Sequence, residues 1–259
     1  MVLLSPENFL KKQVAAVQEY SILSGTAIAG LFTRPRYWAD IFTQMDSIGV
    51  GSMPIVVLTG FFTGCVLALQ SATALLEFGA VNKTGILVAR SMVKELGPVL
   101  TGLMVSGRNA SGMASEIGSM KVTEQIDAMR ALGTDPIRKL IVPRIVSTIF
   151  MLFFLTIISD AVGIAGGALV SVNLMGLNTS SYLHSSFSSL MHGDIVQGLV
   201  KPLFSGFIIA TVGCFYGMRT TGGTQGVGRA TTQAVVVSSV FIIVVDFLVT
   251  RGMIGIFGS

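Results

Sequence analysis

Long apolar runs alternate with short polar clusters along this chain. Residues 47–76 carry no charge, residues 145–173 only Asp160, residues 195–218 only Lys201, and residues 230–250 only Asp246. A fifth run, residues 85–107, is apolar apart from Arg90, Lys94 and Glu95. Each run is long enough for a helix to cross a bilayer, which takes about 20 residues. In hydrocarbon only helices or closed barrels satisfy the backbone, and these runs are too long and too uniformly apolar for barrel strands. The pattern therefore predicts an all-α polytopic membrane protein of about five transmembrane helices, at about 47–77, 85–107, 141–173, 196–217 and 232–256.

The first 46 residues follow a different pattern. Leu10, Val14, Val17 and Ser21 recur at helical spacing, with Lys11, Lys12, Gln18 and Glu19 on the other faces. Such a segment is expected to lie in the membrane interface as an amphipathic helix. The charges also interrupt any continuous apolar core of a cleavable signal. The stretch Ile22–Phe32 is apolar but too short to span; a sixth, strained span built from residues 13–32 is the alternative. Arg34, Pro35, Arg36, Tyr37 and Trp38 then supply basic and aromatic anchors. Residues 1–46 are accordingly read as an N-terminal segment and 47–259 as the transmembrane domain.

The loop 108–140 is polar but patterned. Ile117, Met120, Ile126 and Met129 form an imperfect apolar stripe, with Thr123 and Glu124 between its halves. Gly133 suits a helix stop, and Asp135-Pro136 suits a cap and first turn. The prediction is helix, break, helix, leading into the third span past Pro143. Its basic residues are offset by Glu116, Glu124, Asp127 and Asp135, which favours a protein partner over a lipid surface.

Composition agrees with the pattern: mean hydropathy is +0.76, and only 12% of residues are charged, against about a quarter in soluble domains. Lys and Arg placement sets the orientation. With the N-terminus inside, the inner segments hold Lys11, Lys12, Arg34 and Arg36, then Arg108, Lys121, Arg130, Arg138, Lys139 and Arg144, then Arg219 and Arg229. The outer segments hold Lys83 and Arg251. Five spans place the C-terminus outside. The net charge of +4 thereby reads as topology, and nucleic acid is excluded as a partner.

Candidate chemistry is sparse. Cys65 and Cys214 fall inside spans and read as packing residues. His184 and His192 lie in an outer segment without carboxylates or thiols at metal spacing, so no metal site is predicted. Gly223–Ala230 has the glycine spacing of a phosphate-binding loop, but Arg229 stands where the Lys would be and Ala230 where the hydroxyl would be. It reads as a flexible inner loop. No nucleophile–base set is present, so the chain is not expected to be an enzyme.

Charges at membrane depth are costly and are functional candidates by default. Arg90, Lys94 and Glu95 on the second span, Lys201 on the fourth and Asp246 on the fifth all fall in the outer half. They are expected either to rim a lipid cavity or to form an ion-pair network that holds helices together. Asp160 is expected to pack or hydrogen-bond. Gly60xxxGly64, Gly163xxxGly167 and Gly213xxxGly217 signal close helix crossings.

The runs KELGPVLTGLMVSGRNASGMASEIGSMKVTEQIDAMRALGTDPIRKLIVPR (94–144) and GVGRATTQAVVVSSVFIIVVDFLVTR (226–251) resemble the MlaE/YrbE permeases, membrane subunits of the ABC transporters that work with MCE proteins. The resemblance covers the chain from about Ser47 onward. It implies a homodimer in the bacterial inner membrane, a pair of cytoplasmic ABC ATPases that carry ATP and magnesium, and an outer-side MCE-domain partner, often with a STAS-domain protein. No cofactor is implied in this chain. The implied activity is movement of phospholipid or a related lipid between the inner membrane and the outer envelope. The loop between spans two and three would then hold the coupling helix, with Glu116, Met120, Thr123, Glu124, Asp127 and Met129 at the ATPase contact. Leu67, Leu69 and Gln70 would line the acyl-chain path. The alternative is a stand-alone secondary transporter or channel that uses the Lys/Glu/Asp cluster as a relay; no inverted repeat supports it.

Overall fold

The computed structural model describes residues 6–31 and 37–257, with the side chains of residues 6–10, 12, 13, 256 and 257 left out. Leu10, Lys12, Arg34, Pro35 and Arg36 therefore lie outside what is described. The described residues are helical, with short turns between, as the apolar periodicity predicts. The elements are α1 (Pro6–Leu31), α2 (Trp38–Leu76), α3 (Thr84–Ser91), α4 (Gly97–Val105), α5 (Ser111–Val122), α6 (Gln125–Ala131), α7 (Val142–Asn173), α8 (Thr179–Ser188), α9 (His192–Met218) and α10 (Gly223–Phe257).

Among the described residues, four helices are long and apolar enough to cross a membrane: Trp38–Leu76, Ile137–Asn173, His192–Met218 and Gly223–Gly255. The expected second span differs in kind. Residues 84–122 form one helical rod in which α3, α4 and α5 are joined by π-turns at Met92–Leu96 and Ser106–Ala110. Two widened turns and three charges keep this rod from reading as a uniform apolar helix.

Other boundaries shift for local reasons. α2 runs through residue 47 without a break, so the helix of the first span begins at Trp38, with Asp40 in its first turn. The Gly223–Ala230 stretch is not the flexible loop its glycines suggested. It forms the opening turns of α10, where Gly226 sits against the carbonyl of Thr221. The segment between spans three and four folds into α8, capped by Asn178, which accepts a hydrogen bond from the Ser180 N–H.

Packing explains the glycine pairs. α2 and α7 cross with Gly60 and Gly64 against Ser159 and Gly163, so that a Cβ on Gly64 would lie 1.8 Å from the Gly163 oxygen. The two GxxxG pairs thus face each other, and backbone meets backbone. Gly213 and Gly217 of α9 meet Ala110, Ala114 and Ile117 of the rod. α9 is the central helix, packed on α7, α5 and α10. The core around it includes Val105, Ala110, Leu152, Ile209 and Ala234. A second cluster at the end carrying α5 and α6 includes Ile117, Ile126, Ile141 and Ile145. α1 lies on that end, tied to α9 by the Tyr20–Thr211 hydroxyl pair at 2.8 Å and the Glu19–Arg219 ion pair at 3.3 Å.

Candidate functional site

The polar centre of the molecule is built on the first π-turn. An α-helical partner for the Lys94 carbonyl would be the N–H of residue 98, but that residue is Pro98, which has none. Lys201 of α9 supplies a donor instead, with its Nζ 2.8 Å from the Lys94 oxygen. The same ammonium pairs with Glu95 and lies 3.0 Å from Asp246 of α10. Its side chain is only 2% exposed. Gln197 donates to Glu95 at 3.0 Å, and the Thr250 hydroxyl donates to it at 3.2 Å. Gly198 makes this reach feasible, because a Cβ there would sit 2.1 Å from the Val93 oxygen.

A second knot lies beside the first. Asp194 takes Lys94 at 3.0 Å and Arg90 at 3.4 Å, and accepts the Met191 N–H at 3.1 Å. Arg90 also donates to the Ser189 carbonyl at 3.1 Å. The five charges are thus brought close together, but as two groups: Glu95, Lys201 and Asp246 in one, Arg90 and Lys94 with Asp194 in the other. Arg90 does not join Glu95. Sequence reasoning did not single out Asp194. The signal was present: Asp194, Gln197 and Lys201 fall at i, i+3 and i+7, one polar stripe on an otherwise apolar helix.

Asp160 packs against Gly97, where any Cβ would collide with its carboxyl, and its Oδ1 has no hydrogen-bond partner among the described residues. Packing, not hydrogen bonding, is the role shown.

The expected acyl-path residues divide. Leu69 and Gln70 stay on the exposed face of α2 with Phe62 and Val66. Leu67 turns inward against Ala68, Val88 and Met92. Further along α2, Leu58, Thr59, Phe62 and Thr63 face Leu100 and Met104 of α4 across an open groove of about 300 Å³.

At the other end, α5 and α6 meet in a sharp elbow. Glu124 takes a left-handed conformation with φ of 59°, which costs a non-glycine residue about 1 kcal/mol. Asp127 clamps the elbow, with Lys121 at 2.8 Å and Arg130 at 3.2 Å. The Lys121 hydrogen bond, ahead of the charge of Arg130, holds the Asp127 carboxyl below its ordinary range. A depressed value means this contribution is present at neutral pH and is lost as pH falls through it.

Thr123, Glu124 and Asp127 are exposed on the elbow, together with Leu132, which is 83% exposed at its tip. Met120 and Met129 instead pack inward beside Ile117 and Ile126. Glu116 pairs with the buried Arg144 at 2.7 Å, joining α5 to α7. Among the described residues no three His, Cys, Asp or Glu side chains are grouped as metal ligands.

Residues 41–251 match the family described as Permease MlaE. A probable ABC transporter permease protein of Rickettsia bellii is 43% identical over 236 residues, or 91% of each chain. The intermembrane phospholipid transport system permease protein MlaE of Haemophilus influenzae is 37% identical over 221 residues, or 85% of each chain. The Arabidopsis thaliana protein TRIGALACTOSYLDIACYLGLYCEROL 1, chloroplastic, is 35% identical over 229 residues, covering 88% of this chain and 65% of the plant protein.

Proposed function

Because the chain belongs to the MlaE permease family, we propose that it is the membrane subunit of an ABC transporter that moves phospholipid between the inner membrane and the outer envelope. The observation that carries this reading is the rod 84–122. One continuous helix bears the intramembrane charges near one end and the exposed elbow at the other. An engine docked on the elbow is thereby joined mechanically to the charges.

The assembly proposed is a homodimer in the bacterial inner membrane with two cytoplasmic ATPases, which bind ATP and magnesium. An MCE-domain protein, often with a STAS-domain protein on the ATPase, completes it. Thr123, Glu124, Asp127 and Leu132 form the docking surface, while Met120 and Met129 support it from beneath and Glu116 fastens it to α7. The outer-half charges and the exposed face of α2 around Leu69 and Gln70 form the lipid path.

Two measurements test the reading. Glu124→Lys combined with Leu132→Asp should weaken assembly with the ATPase by tenfold or more, since charge reversal at an interface typically costs ~2 kcal/mol or more. Glu124 has no ion pair among the described residues and Leu132 is 83% exposed, so the fold should survive. An intact complex with full lipid-stimulated ATPase activity would refute the docking surface. A chain that moves lipid with no ATPase at all would instead support a secondary transporter.

The N-terminus is proposed to be cytoplasmic and the C-terminus periplasmic. A cysteine at position 181 should react with an impermeant reagent from outside the cell, and one at position 224 should not. The reverse pattern would overturn this orientation.

A further inference from the structure

Asp160 stands apart from the other acids of the chain. It sits near the middle of α7 with only 8% of its surface exposed. Among the described residues its carboxyl makes no ion pair, and Oδ1 is enclosed without a hydrogen-bond partner. The other aspartates are provided for. Asp194 pairs with Lys94 and Asp246 with Lys201, Asp40 pairs with Lys139, and Asp46, Asp127 and Asp135 are exposed.

The rod gives this carboxyl no donor. Gly97 faces it so closely that a Cβ there would lie 1.7 Å from Oδ1. The Gly97 N–H is spent on the Met92 carbonyl inside the π-turn, and Pro98, next along, has no N–H. What lies close by is an acceptor, since the Met92 oxygen is 2.9 Å from that same Cβ position. The Thr101 hydroxyl, one turn further along, is also enclosed but has no partner, so it does not donate to Asp160. The titratable groups on the surrounding helices are committed elsewhere. On the rod, Lys94 is held by Asp194; on α9, Lys201 is held by Glu95 and Asp246. α2 carries no charge between residues 47 and 76, and its Cys65 thiol donates to the Gly166 carbonyl. The Tyr182 hydroxyl of α8 donates to the Ile164 carbonyl.

We propose that Asp160 is a proton-binding site: it takes one proton from water and stands in the membrane core as a neutral carboxylic acid that seals α7 against the rod. A carboxylate enclosed here without cation or donor would bear its whole desolvation cost, which taking up a proton removes. The acid form also gains an O–H to offer, and suits a surface that presents an acceptor. Uptake cancels one negative charge and alters no other group. The proton belongs to the closed contact, because parting α7 from the rod would admit water and with it the ionised form. Gly97 positions the acid by leaving room for it. The site is independent of the transport reading and of what the chain moves.

Infrared spectroscopy of the full chain in phosphatidylethanolamine vesicles near neutral pH tests this. The wild type should show the carbonyl stretch of a protonated carboxylic acid, and labelling its aspartates with carbon-13 at the side-chain carboxyl should shift that band. This measurement needs no variant. Asp160→Asn keeps a neutral side chain of the same shape, so it should fold with an unchanged melting temperature and lose the band. Asp160→Glu should keep a band that no longer responds to the aspartate label. Exchange into heavy water reports on the seal. It should be slow in the wild type and about tenfold faster in Gly97→Ala, because an overpacked contact opens more often. No acid band in the wild type, or one that survives in Asp160→Asn, would overturn the proton site. Immediate exchange in the wild type, or equal exchange in Gly97→Ala, would overturn the seal.

Discussion

Lys201→Met is expected to be the most damaging single substitution in the membrane core. The ammonium is almost fully enclosed and serves Glu95, Asp246 and the orphaned carbonyl of Lys94. Removing it leaves Glu95 and Asp246 beside each other without their cation, and because Glu95 is 40% exposed the cost should lie at or below the lower end of the ~3–5 kcal/mol for breaking a fully buried pair. Yield should collapse, and the melting temperature in detergent should fall by many degrees. Neutralising the acids as well, in Lys201→Met with Glu95→Gln and Asp246→Asn, should restore a folded chain, because no stranded charge remains. Transport by the triple variant then separates two roles. Lost transport in a well-assembled complex means the charges act on lipid. Full transport means they only hold α4, α9 and α10 together, and the lipid-path assignment of Glu95 and Lys201 fails.

Gly64→Leu should come next in severity. Its first added carbon would already overlap the Gly163 oxygen of α7, so the main helix crossing would have to open. Overpacking a tight contact costs about 1–3 kcal/mol when neighbours can adjust, and here the obstruction is backbone, which adjusts least. Little folded protein should survive detergent extraction. Gly112→Ala is the matched control: nothing lies within 4 Å of its added carbon, and alanine is the better helix former by up to ~1 kcal/mol. Equal melting temperatures for Gly64→Leu and the wild type would show that the crossing is looser than described.

Much of the architecture is legible because membrane insertion is governed by length and hydropathy, which are local. The apolar runs map onto α2, α7, α9 and α10, and the Asp135-Pro136 pair does precede a new helix. The stop at Gly133 was foreseeable, whereas the elbow between α5 and α6 at Thr123 and Glu124 splits a stretch that the apolar stripe reads as one helix. Boundaries were less legible, since a helix continues past the apolar run wherever its backbone still bonds, as at Trp38 and at Gly223.

Partnership was decided only by the tertiary structure. Composition put five charges at one depth, but not that Pro98 would free a carbonyl for Lys201, or that Asp194 would capture Arg90 and Lys94. Periodicity marked Met120 and Met129 as a stripe without saying that it faces the core. The GxxxG pairs announced close contacts, yet their pairing across α2 and α7 depends on helices about a hundred residues apart. The sequence by itself determined the all-helical class and the main apolar helices, because both follow from the free energy of moving a residue from water to lipid. Which charge meets which was settled by packing, because an ion pair in hydrocarbon needs contact geometry, and contact geometry exists only once the helices are assembled.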